Sequence, residues 1–180
     1  MIETLQNALL RNLANIVSIL GVLPICVLFG GHAYQYLIPL VIYNNFMDDL
    51  DGMLATKLNL KSDFGADLDN VCDAIAHAVF VMVVGMHFAQ EAGHPYLGGF
   101  CLATCLLATI AMIIRVVDRI NPSSAPGTGS PTNELIRHLF FVLLLAQIFG
   151  FHPMPYLIAT CLLHAVSMLV RSEERRVGKE

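Results

Sequence analysis

Apolar residues gather into six runs along the 180-residue chain, at about 13–30, 34–57, 64–88, 95–117, 135–151 and 154–170. Each is bounded by polar or turn residues: Gly30-Gly31-His32, Leu60-Lys61-Ser62-Asp63, Gln90 to Pro95, Asn121 to Asn133, and Gly150-Phe151-His152-Pro153. A helix crossing a bilayer needs roughly 20 apolar residues, so the pattern predicts an all-α integral membrane protein of six transmembrane helices. Only the fourth connection is long, and its Pro, Ser and Gly content marks it as flexible. The domain is expected to occupy residues 1–170, with no room for a separate soluble one. Residues 171–180 change composition abruptly and read as a polar tail outside the fold. Met1 to Asn12 are mixed in character and fit either a short interfacial helix or a frayed terminus. They lack the basic start and cleavage site of a secretory signal, so the first run is expected to be retained.

Basic residues orient the spans, because cytoplasmic connections carry the Lys and Arg excess. With the N-terminus inside, Arg11, Lys57, Lys61, Arg115, Arg119, Arg137 and Arg171 all fall at inner ends, and the three outer connections hold no Lys or Arg. Both termini are therefore expected to be cytoplasmic. Composition agrees: 56% hydrophobic and 13% charged residues stand against about 45–50% and 25% in soluble domains. The five cysteines are dispersed and mostly inside apolar runs, so they imply no disulfide framework. No basic stripe offers a surface for nucleic acid.

The net charge of −4 conceals a concentration: seven of the eight Asp residues lie between Asp48 and Asp73. Ionisable groups within a span are costly and default to a functional reading. On the second predicted helix Asp48, Asp51, Gly52 and Ala55 follow at i, i+3, i+4 and i+7, one helical face; on the third, Gly65, Asp69 and Asp73 follow at i, i+4 and i+8. Two antiparallel helices joined by a short turn bring those faces together near the cytoplasmic side. Four converging carboxylates in a partly dry site need a cation between them. Mg²⁺ or Mn²⁺, completed by substrate phosphate and water, is the natural occupant, and the glycines leave room for a phosphate or a flat base.

The run Asp48-Asp49-Leu50-Asp51-Gly52-Met53-Leu54-Ala55-Thr56, followed by Gly65, Asp69 and Asp73, resembles the signature of the CDP-alcohol phosphotransferases, D-x2-D-G-x2-A-R-x8-G-x3-D-x3-D. Seven of its eight fixed positions match, over 26 residues. Ala14-Asn15-Ile16-Val17-Ser18 approximates the P-N-x2-T pattern of the family's first helix. The departure is Thr56, where the family has Arg; Lys57 follows, turned by about 100° along a helix. The resemblance implies transfer of a phosphatidyl or phospho-alcohol group from a CDP-linked donor to an alcohol acceptor, with release of CMP, in phospholipid biosynthesis. It implies that Asp48, Asp51 and Asp69 bind the metal and that Asp73, also close to it, is the catalytic base. It places Gly52, Ala55 and Gly65, with Asn15 and Ser18, around the donor nucleotide. The setting it implies is a multi-pass protein of a bacterial cytoplasmic membrane, in contact with membrane lipid, in a family that often forms homodimers. The stretch Leu68 to Ile75 resembles the choline and ethanolamine branch, whereas length and compactness resemble bacterial enzymes using CDP-diacylglycerol.

Plainer readings stand beside these. Asp49, Asp63 and Asp67 fit solvated positions or charges favoured by a helix N-terminus. His77, one turn beyond Asp73, either orients it or is a satisfied interhelical histidine, and Asn44 either extends the pocket or packs. Arg115, Arg119 and Arg137 are either positive-inside anchors or, Arg115 foremost, contacts to an acceptor or lipid phosphate. Two other functions remain open at the level of sequence: a cation transporter or channel, since acidic residues in a bundle mark ion pathways, and a family member made inactive by Thr56.

Overall fold

The structure, a computed structural model, describes residues 9–10, 12–30, 33–91, 93–120 and 131–177, with side chains described throughout these except at 33, 91, 111, 114–120, 131–133 and 171–177. It is helical, with no strand among the described residues. The α-helices are α1 (Leu13–Val22), α2 (Leu37–Lys57), α3 (Asp63–Glu91), α4 (Pro95–Ile120), α5 (Pro131–Phe149) and α6 (Met154–Val177); short 3₁₀ segments, Leu23–Phe29 and Ala33–Tyr36, join α1 to α2. The six apolar runs thus correspond to six helical stretches. Helix α6 continues beyond residue 170 into the polar end of the chain, while most of Met1 to Asn12 and residues 121–130 lie outside the described residues. Two compact units form, Met1–Val83 and Val84–Glu180.

In the first unit α1 lies on α2 along small residues. Ala14, Ser18 and Gly21 recur at i, i+4 and i+7 and are buried with Val17, the spacing that lets helix backbones approach closely. A methyl group on Gly21 would sit 3.0 Å from Met47 Cβ. The first apolar run is not one α-helix, because Pro24 has no N–H to give the carbonyl four residues back. That carbonyl, Leu20 O, accepts a hydrogen bond from Tyr43 Oη of α2 at 3.1 Å, so the break also ties the two helices.

The turn from α2 to α3 is defined at both ends. Asn59 takes a left-handed backbone, φ 54°. Leu60 N–H reaches Ala55 O at 2.9 Å and Asn59 N–H reaches Thr56 O at 3.4 Å, the paired bonds that close a helix on a left-handed residue. Ser62 then caps α3, its Oγ accepting from Gly65 N–H at 3.0 Å, and Asp63 opens the first turn where the helix dipole favours an acid.

In the second unit α4 buries Leu97, Cys101, Cys105 and Ala108, and α5 buries Ile136, Leu139, Phe140, Leu143 and Ala146, each set at helical spacing. Pro95 and Pro131 open their helices, where a missing N–H costs nothing, and Gly150, at φ 70°, closes α5. His94, Tyr96 and His152 link the connection before α4 to the one before α6: Tyr96 Oη lies 2.9 Å from His94 Nδ1 and 3.2 Å from His152 Nε2.

Outward faces are as apolar as the buried ones. Ile38, Ile42 and Phe46 of α2 and Leu162, Leu163, Val166 and Leu169 of α6 are all exposed, where a water-facing helix would carry polar residues. By length and composition one described helix, Asp63–Gln90, is long and apolar enough to cross a membrane; Leu13–Phe29, Pro95–Ile110 and Met154–Val170 are shorter apolar stretches.

Candidate functional site

The faces read from the sequence do meet, within the first unit. One carboxylate oxygen each from Asp48, Asp51 and Asp69 lie within 4.8 Å of one another. Asp51 is buried and the other two are partly so. Asp48 and Asp51 come from consecutive turns of α2, and Asp69 from the second turn of α3, which the turn at 58–62 folds back against α2. An all-oxygen set of this size could hold a hard divalent cation. Asp73, one turn beyond Asp69, is outside that set; it lines a small adjoining cavity with all three, together with Ser18, Gly21, Asn44, Met47 and Cys72.

A larger cavity of about 420 Å³ opens beside the carboxylates. Its walls come from α1 (Ala14, Asn15, Ser18), α2 (Asp51, Gly52, Ala55), the turn (Leu60, Lys61, Ser62) and α3 (Asp63, Gly65, Ala66, Asp69). All five residues placed at the nucleotide by sequence therefore line one space. The two glycines work differently. A methyl on Gly52 would meet nothing within 4 Å, so the cavity is open over it, whereas one on Gly65 would lie 3.0 Å from Asn15 Oδ1 and 3.1 Å from Ser62 Oγ. Gly65 thus admits Asn15 to the wall.

Ser18 does more than line the cavity. It is buried, and its Oγ donates a short hydrogen bond to Asp51 Oδ2 while lying 3.2 Å from Ala14 O. Sequence spacing could not supply that pair, because it depends on how α1 is phased against α2. His77 Nδ1 donates to the main-chain carbonyl of Asp73 at 2.8 Å, and its ring meets Phe80 edge-on, as a satisfied histidine within the helices does. Asn44 is buried at the small cavity. Asp49 is exposed and lines neither cavity, and Asp63, read as a solvated or helix-opening charge, is exposed in the first turn of α3, where it also lines the larger cavity with Lys61 and Ser62. Thr56 donates from Oγ1 to Gly52 O at 2.9 Å and stays out of both cavities. Arg137 is exposed on α5, and the side chains of Arg115 and Arg119 lie outside the described residues.

Three converging carboxylates, two of them on the wall of a cavity that is open over Gly52, form a helical site that could hold a cation beside a ligand. The chain belongs to the CDP-alcohol phosphatidyltransferase family, which it matches over residues 10–170. Members of this family transfer substituted phosphate groups from CDP-alcohols in phospholipid synthesis, are generally metal-dependent and are typically membrane-associated. The chain is also 39% identical over 51 residues to a protein of Aquifex aeolicus (strain VF5) described as uncharacterized, a stretch covering 28% of this chain and 26% of that relative. It thus spans about a quarter of the relative's length. No solved structure matches it significantly.

Proposed function

We propose that this protein transfers a phosphatidyl or phospho-alcohol group from a CDP-linked donor to an alcohol acceptor, releasing CMP. The observation that carries the reading is the convergence of Asp48, Asp51 and Asp69 within 4.8 Å, with Asp51 and Asp69 also lining the larger cavity. Asp48, Asp51 and Asp69 would hold Mg²⁺ or Mn²⁺, with Asp73 near enough to complete the set. A bound divalent ion would offset charge on the phosphates and stabilise the departing CMP. Gly52, Ala55, Gly65 and Asn15 shape the space for the nucleotide, and Ser18 fixes the Asp51 carboxylate for its ligand role.

The reaction forms a bond from the acceptor hydroxyl oxygen to the phosphorus that carries the donor's alcohol, and breaks the bond from that phosphorus to the bridging oxygen. CMP leaves with the electron pair, and the acceptor proton passes to Asp73. A carboxylate in this position serves as base while lying close to the metal, because it lines the small cavity with the other three. The acceptor phosphate or a lipid phosphate would fall to Arg115, Arg119 or Arg137. The six helical stretches are read as six crossings with both termini in the cytoplasm, supported by outward-facing Ile, Leu and Phe and by the distribution of Lys and Arg. The site then opens to the cytoplasm, and a homodimer is the expected assembly.

The test is CMP release by purified protein supplied with Mg²⁺ or Mn²⁺, CDP-diacylglycerol, CDP-ethanolamine or CDP-choline, and matching acceptors. Asp73→Asn should lower turnover about 10²–10⁴-fold while Mn²⁺ still binds. No turnover with any donor, together with cation flux in liposomes, contradicts the reading. Ser18→Ala should weaken Mn²⁺ binding about 10–100-fold, the usual effect of losing a group that orients a ligand, and Ser18→Thr should retain it. A Mn²⁺ titration followed by electron paramagnetic resonance distinguishes the two, and equal affinity in Ser18→Ala would remove Ser18 from the ligand-positioning role.

A further inference from the structure

The larger cavity has a charge problem. Asp51, Asp63 and Asp69 line it, and the proposed donor brings a diphosphate into the same space. One divalent ion held by three carboxylates still leaves a net negative charge, so the cavity repels its own substrate unless the protein adds a cation. Two basic or polar residues near the end of α2 do not reach it. Thr56 spends its hydroxyl on the Gly52 carbonyl, and Lys57 is exposed and lines neither cavity. Lys61 is exposed too, but among the described residues lining the larger cavity it is the basic one.

Lys61 is also well placed by its backbone. The residue before it, Leu60, is bonded to Ala55 O, and the residue after it, Ser62, caps α3 through Gly65 N–H. A left-handed Asn59 sets the direction of the turn. The stem of Lys61 therefore starts from a fixed point on the cavity wall, on the turn that joins the two acidic helices, and part of the ordering cost of a phosphate contact is met before the ligand arrives. We propose that Lys61 is a binding residue for the donor's diphosphate, supplying the positive charge that the acidic cavity otherwise lacks. A flexible ammonium acts there as a point charge, which fits a diphosphate whose charge is spread over several oxygens.

The proposal rests on the reading of the site as one for a CDP-linked donor, and the experiment separates the two. Full-length protein in detergent is titrated calorimetrically with CDP, CMP and cytidine in the presence of Mn²⁺, as wild type, Lys61→Ala and Lys61→Arg. Lys61→Ala should weaken CDP binding about tenfold, the scale of one charge-assisted hydrogen bond, CMP by less, and cytidine not at all. Mn²⁺ affinity measured without nucleotide should be unchanged, and Lys61→Arg should bind CDP as the wild type does. Equal CDP affinity in Lys61→Ala and wild type overturns the proposal and leaves the donor site standing. An equal loss for CDP and cytidine overturns it too, because Lys61 would then support the shape of the cavity rather than the phosphates. Wild-type protein that binds no CDP in Mn²⁺ overturns the reading and the proposal together.

Discussion

Replacing Asp51 with Asn should lower CMP release about 10³-fold, the scale of removing one preorganised charged group from a reacting centre, without unfolding the protein. Three features make Asp51 the most sensitive of the acidic residues. It is buried, its oxygen belongs to the three-carboxylate set, and it also lines the larger cavity. An amide keeps the shape and still accepts the hydrogen bond that Ser18 gives through Oγ, so packing between α1 and α2 is preserved while the charge is lost. Asp49→Asn is the matched control. It removes an equal charge two residues away from an exposed position outside both cavities, and should leave turnover close to wild type. Turnover and Mn²⁺ affinity measured side by side decide the point. If both substitutions reduce activity alike, the effect is one of net charge along the helix and the three-carboxylate set has no special standing.

The second large effect concerns packing. Gly85→Ala should destabilise the protein by about 3 kcal/mol, the upper end for forcing an added methyl into a tightly packed contact. A methyl there would lie 2.2 Å from Cys101 Sγ and 2.8 Å from Cys101 Cβ, both on α4, and neither end is free to move because Gly85 and Cys101 are buried. Adding Cys101→Ala removes the sulfur and should return part of the loss, but the contact with Cβ remains. The thermal midpoint in detergent reads both. The contrast with Gly52, over which there is open space, makes the claim specific. Gly52→Ala should fold as the wild type does, whereas Gly85→Ala should not. Equal midpoints for all three proteins would contradict the close approach of α3 and α4.

How far the sequence could be read depended on whether a feature is local. Breaks at 60–63 and 150–153 carry their own turn chemistry, and helices end there. The first apolar run reads as one helix from its hydrophobicity, and its split at Pro24 comes from a residue that cannot complete the helical ladder. Spacing alone placed Asp48, Asp51 and Asp69 on two faces, and a short connection sufficed to bring them together. The bond from Ser18 to Asp51 joins residues 33 positions apart and follows from the small-residue seam between α1 and α2, which no periodicity within one helix reveals. Lys61 and Asp63 read as a topology marker and as a solvated or helix-opening charge, and both are exposed; that they also line the larger cavity is set by the helices their loop connects. Asp73 has the same helical spacing as Asp69 and lines the small cavity with Asp48, Asp51 and Asp69, although its oxygens are not among those that gather within 4.8 Å.

The central claim is that this acidic pocket moves a substituted phosphate from a CDP-linked donor to an alcohol. The most direct measurement follows a labelled acceptor alcohol into phospho-product while CMP is quantified in the same reaction, with purified protein and added Mn²⁺. The account predicts product and CMP in equal amounts for at least one donor and acceptor pair, abolished by chelation and restored by returning the metal. CMP release without product, or transfer that continues in the presence of a chelator, would contradict it.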